Sequence, residues 1–212
     1  MDWLPWRRTP ATQEPSRWLM VDVETSGLDP ARDRLLAIAA IGMKVDWQAR
    51  RLSVVLADSF EVVLRQEAPS ARDNILLHGI GVQRQKEGVP APQALGAFAA
   101  FAGSAPLLAF HAAFDEALIG RHARAALGGT PHSCSMSSQG LGGVTHPEVR
   151  ARSLDEWMAH YGIRCAARHQ AIADTLAECD LLLRIWPRVA RECASWRDVE
   201  RLAARHRWVA RG

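Results

Sequence analysis

Asp22 and Glu24 stand two residues apart in the run LMVDVETSGLD over residues 19–29. The apolar residues around them mark a strand, and period-two alternation puts both carboxylates on one face of it. On a central strand such a pair needs a bound cation, a basic partner or a catalytic duty, because an unpaired buried charge is strongly unfavourable. On an edge strand the two acids would simply face solvent. Two more acids bear on the choice. Asp115 sits where a short apolar strand meets a helix start, a place the helix dipole alone also favours for an acid. Asp174 lies on a helical stripe with Ala171, Glu178, Leu181 and Ile185, so it shares the face that otherwise packs on the core. His169 stands just ahead of that helix, where it can lean over the same place.

Four converging carboxylates define a chemistry. Like charges ~4 Å apart at an effective dielectric of 20 repel by roughly 4 kcal/mol per pair. Divalent cations remove that repulsion, and hard oxygen donors without cysteine suit Mg²⁺ or Mn²⁺ rather than zinc. Two such ions roughly 3.5 to 4 Å apart activate a water and stabilise the entering and leaving oxygens of phosphodiester cleavage. A neutral histidine, with a pKa near ~6.5, suits the proton transfer from that water.

The elements that must position these groups are legible in outline. Residues 18–25, 35–47 and 53–64 read as three consecutive antiparallel strands, the last two separated by the polar turn at 48–51. After Pro69 the pattern turns to helix and loop. A short helical turn is expected at 74–79, a helix at 92–103 between a proline and a glycine, a strand at 106–110, and a helix from there to about Leu127, closed by Gly128 and Gly129. Residues 131–147, rich in serine and glycine, read mostly as a mobile loop with a brief strand at 134–136. Ser153 and Glu156 have the spacing of a capping box ahead of a helix to about Tyr161. The longest helix is expected over 170–186, with Pro187 ending or kinking it, and a last, arginine-rich helix over 195–207. The sum is an α/β fold, a mixed sheet flanked by helices. Residues 1–16 read as a flexible tail, 17–190 as the principal domain and 191–212 as an arginine-rich helical segment.

With 212 residues the chain can bury a substantial core, and its net charge of +3 is too small to require a polyanionic partner. Lys44 and Lys86 are the only lysines. The arginines from Arg184 to Arg211 either position phosphates without reading sequence or line solvated helix faces. Cys134, Cys165, Cys179 and Cys193 form no CxxC pair, which indicates neither a zinc site nor a disulfide framework and suits a cytoplasmic protein.

DVETSGLD at 22–29, HAAFD at 111–115 and HQAIAD at 169–174 together resemble the three motifs of the DEDDh-family 3′–5′ exonucleases, in the right order. LHGI at 77–80 is similar to a segment of the proofreading epsilon subunits of DNA polymerase III, and RNase T-like enzymes share the pattern. The resemblance implies a ribonuclease H-like fold, three antiparallel strands and then parallel ones. It implies a two-metal exonuclease that releases 5′-mononucleotides from single-stranded 3′ ends, DNA slightly favoured, with an exoribonuclease as the alternative and a non-catalytic nucleic-acid-binding module as the third. Asp22, Glu24, Asp115 and Asp174 match the metal-binding acids and His169 the general base. Thr25, Ser26, Gly27 and Leu28 fall where relatives hold the terminal nucleotide. Phe114 either supports a base or packs beneath the site, and His78 either touches the nucleotide or is a buried, hydrogen-bonded histidine. Ser133-Cys134-Ser135 departs from the Asp-Thr pair of many relatives, which bears on loop docking and substrate choice. Many relatives dimerise, so a homodimer is compatible with the chain. No segment supports docking to a polymerase or sliding clamp.

Overall fold

Strand β1 (Arg17–Thr25) is central, third of five in a mixed sheet of order β3-β2-β1-β4-β5. The computed structural model describes residues 14–129 and 134–209. β2 (Leu35–Asp46) and β3 (Arg51–Val63) pair antiparallel in sequence order, and β4 (Leu107–Ala109) and β5 (Cys134–Ser137) add on the other side of β1 as parallel strands. This is the sheet expected, and the central place of β1 rules out the edge-strand reading of its acids. Asp22 pairs in register with Ala39 and Glu24 with Ala37 on β2. On the other side β4 matches only Leu19 and Met20, so the acidic end of β1 runs past its parallel neighbour. A crevice therefore opens at the carboxyl end of a strand where the topology switches, the usual ligand site of an open α/β sheet.

Helices cover both faces, following the alternation of β1. Leu19, Val21 and Val23 pack with Leu95, Phe98, Leu118 and Ile119 of α3 (Ala91–Ala102) and α4 (Ala112–Leu127). Trp18 and Met20 point the other way, into a core with α5 (Ser138–Thr145), α6 (Leu154–Tyr161), α7 (Ala171–Glu192) and α8 (Trp196–Val209). Two short helices, α1 (Arg72–His78) and α2 (Val82–Glu87), lead into α3. The capping box of α6 forms as its spacing predicts, with Ser153 Oγ accepting from the Glu156 N–H and the Glu156 carboxylate accepting from the Ser153 N–H. Among the described residues no helix is long and apolar enough to cross a membrane.

Two expectations need correction. Residues 138–145 are helix α5 and not loop, although SQGLGGVT is a poor helix former. Packing supplies what propensity lacks. Leu141 is fully buried, Ser137 Oγ accepts from the Gly140 N–H at the helix start, and a Cβ on Gly142 would lie 3.0 Å from the Trp157 ring. Pro187 does not end α7, which continues to Glu192. An interior proline costs ~3 kcal/mol. Burial of Ile185, Trp186, Val189 and Ala190 on either side of it holds the helix together. The expected N-terminal tail falls largely on residues 1–13 and Ser133 within 130–133, both outside the described residues, while Cys134 and Ser135 open strand β5.

Candidate active site

At the carboxyl end of β1, Asp22 and Glu24 project toward α7, and carboxylate oxygens of Asp22, Glu24 and Asp174 lie within 4.8 Å of one another. They line a cleft of about 1000 Å³, into which Asp115 from the first turn of α4 and His169 from the turn before α7 also project. The five residues singled out as catalytic in type thus meet in one cleft. Asp115 and Asp174 are buried, while Asp22 and Glu24 are half-buried at the cleft floor.

The proximity of like charges shows in the proton affinities. Burial, then Asp115, Glu24 and Asp174, raise the Asp22 carboxyl well above the usual carboxylate range. Burial pushes Asp115 up to about 7. Glu24 is raised to about 8 by burial and then by Asp174, with Arg168 pulling the other way. In the absence of a cation Glu24 and Asp115 therefore hold protons more tightly than ordinary carboxyls do.

Two neighbours were not singled out from sequence. Arg168 forks between Asp155 of α6, at 2.6 Å, and Asp174, and so neutralises part of the cluster. Nothing in the sequence separates it from a solvated turn arginine. Glu178, one turn along α7 from Asp174, is 2% exposed and also lines the cleft. It lies on the stripe already identified, but periodicity alone does not distinguish an acid at a site from a helix position near one. Burial first, then Asp22, Asp115 and Asp174, raise its carboxyl well above the usual range.

His169 carries its backbone at φ 61°, a left-handed conformation that only a few side chains adopt readily. Its N–H donates to Asp174 Oδ2 at 2.9 Å, so the turn that presents the imidazole is tied to one of the acids.

The residues after the strand divide into those that meet the cleft and those that shape it. Thr25, Gly27, Leu28 and Phe114 line it, and Leu28 is 90% exposed. Ser26 does not. Its hydroxyl donates to Asp33 and accepts from the Arg34 N–H, closing the turn. The same Asp33 explains Gly27, where a Cβ would fall 2.5 Å from the Asp33 carboxylate. His78 also stays out of the cleft. It is buried, its Nδ1 accepts from the Ile80 N–H, and Nε2–H therefore donates to Asn74 Oδ1 at 2.7 Å. Asn74 in turn donates to the Thr25 carbonyl at 2.8 Å, so His78 stands behind the cleft wall and is tied to it through Asn74.

An exonuclease family model, RNase_T, matches residues 19–182, and the chain belongs to that family. The PolC-type DNA polymerase III of Halalkalibacterium halodurans is 26% identical over 170 residues, 80% of this chain and 11% of that protein. Its counterpart in Bacillus subtilis is 24% identical over 186 residues, 87% of this chain and 12% of that protein. The chain thus spans about a tenth of the length of these relatives. Among solved structures, E. coli exonuclease I in complex with a dT13 oligonucleotide superimposes with a TM-score of 0.68 at 18% identity, covering 83% of this chain and 42% of that one. Cell-death related nuclease 4 superimposes at 0.66 and 10% identity, covering 81% of this chain and 64% of that one. The shared fold is ribonuclease H-like, as the motifs imply.

Proposed function

We propose that the protein is a DEDDh-type exonuclease that uses two Mg²⁺ or Mn²⁺ ions to remove 5′-mononucleotides from the 3′ ends of single-stranded nucleic acid, DNA slightly favoured over RNA. The observation that carries this reading is the meeting of Asp22, Glu24 and Asp174 within 4.8 Å, beside Asp115, with Arg168 as the cation paired to the cluster. Hard oxygen donors that repel one another and retain protons fit a divalent-metal site. Asp22, Glu24, Asp115 and Asp174 would hold the ions, which when bound supply Lewis-acid stabilisation of the attacking and leaving oxygens. His169 accepts the proton of the attacking water as that oxygen bonds to phosphorus. The bond from phosphorus to the 3′ oxygen of the penultimate nucleotide breaks, that oxygen takes a proton from solvent, and a nucleoside 5′-monophosphate and a strand shortened by one with a 3′-hydroxyl end are freed. The cleft walls at Thr25, Gly27, Leu28 and Phe114 hold the terminal nucleotide. The preference for DNA rests on the LHGI segment, the PolC-type relatives and the dT13 complex of the structural neighbour.

The test is degradation of 5′-labelled single-stranded DNA and RNA, side by side, with Mg²⁺, Mn²⁺ or EDTA. Metal-dependent laddering from the 3′ end is expected, faster on DNA. Faster RNA laddering would make the protein an exoribonuclease. Binding of both strands with no shortening would instead leave a nucleic-acid-binding module.

A further inference from the structure

Glu178 has no place among the four acids of the motif, yet it is the carboxylate most fully enclosed with them. It follows Asp174 by four residues, so α7 presents both on one face toward β1. Its side chain is buried and lines the cleft beside the residues that follow β4. The carboxylate oxygen Oε2 is buried and has no hydrogen-bond partner. Its charged neighbours are Asp22, Asp115 and Asp174, all of the same sign. The guanidinium of Arg168 is already shared by Asp155 and Asp174.

A divalent cation held in the cleft would give Oε2 the partner that the protein itself does not supply. We propose that Glu178 is a fifth carboxylate ligand of the divalent-cation site, with Oε2 as its donor atom. This rests on the metal-dependent reading above and adds to it a ligand from the second turn of α7.

The experiment is Mn²⁺ titration of the full chain by calorimetry and by electron paramagnetic resonance of free Mn²⁺, without substrate. Wild type, Glu178→Gln and Glu178→Asp are compared, with circular dichroism to confirm folding. Glu178→Gln keeps shape and removes charge. It should weaken Mn²⁺ binding by at least ~10- to 100-fold at one site or abolish that site, a loss at least equal to that of an outer-shell partner. Glu178→Asp should fall between the two. Unchanged or tighter Mn²⁺ binding in Glu178→Gln, with two ions still taken up, overturns the ligand assignment and leaves the metal-dependent reading standing. A wild-type protein that takes up no Mn²⁺ overturns both.

Discussion

One face of β1 has two ends that could hardly differ more. At the amino end Trp18 meets Trp47, Trp186 and Trp196 edge to face, with ring centroids 5.7, 5.6 and 4.7 Å away. Its indole N–H reaches the Pro15 carbonyl and that of Trp186 the Arg50 carbonyl. At the carboxyl end, on the same face and opposite the same helix, Asp22 and Glu24 meet Asp174 and Glu178. Along α7 the two environments are separated by three turns, about 18 Å. The aromatic end is held by ring packing, which outweighs the one indole N–H, that of Trp47, buried there without a partner. The acidic end is stable only as far as protons or cations quench it, so fold and chemistry draw on opposite ends of the same two elements.

Asp22→Ala breaks the contrast hardest. It should lower exonuclease activity by at least ~10³-fold, since loss of an acid that would hold the metal ions removes several kcal/mol of transition-state stabilisation. The metal-free variant should melt at or above the wild-type temperature. A variant that loses both activity and several degrees would show that Asp22 also supports the fold. The opposite end should behave inversely. Trp186→Ala should cost ~3–5 kcal/mol in urea denaturation, through a cavity and an unpaired Arg50 carbonyl, while activity per folded molecule stays near wild type.

A pH titration sharpens the same distinction. Glu24 and Asp115 have folded-state pKa values of about 8 and about 7, above their ordinary values. The folded state therefore binds these protons more tightly than the unfolded chain does. Their contribution to stability is complete below the ordinary carboxylate pKa and is lost as pH rises through about 7 and 8. The melting temperature of metal-free protein should fall from pH 5 to pH 8.5, and saturating Mn²⁺ should restore most at the alkaline end. A flat profile without metal would mean that the acids are farther apart in solution. The smallest effect is expected from Asn74→Ala, which removes the prop under the Thr25 carbonyl. A net hydrogen bond of about 1 kcal/mol translates to roughly five-fold in kcat/KM, read against an unchanged metal affinity.

Sequence reading recovered the acidic end better than its surroundings. Asp22 and Glu24 stand out because acids inside an apolar strand are rare, and Asp174 because it interrupts an apolar stripe. Each is visible as a local contradiction. Arg168 contradicts nothing locally, and its meaning arises only when α6 and α7 converge on it from Asp155 and Asp174. His78 was legible as a histidine near a turn, but whether it touched ligand or braced Asn74 depended on the path of α1, a tertiary fact. The helix α5 was hidden for a related reason. Its glycines suit close packing against Trp157 and say little about the backbone conformation that this packing selects.

The left-handed backbone of His169 sets how its role can be read by mutation. Alanine there removes the imidazole and also brings a residue that resists this conformation, so a slow variant would mix lost proton transfer with a displaced turn and a loosened N–H to Asp174. Asparagine adopts the conformation readily, and glycine does so without penalty. His169→Asn is the substitution that isolates the ring, and its difference from His169→Ala measures how much of the site depends on one peptide plane.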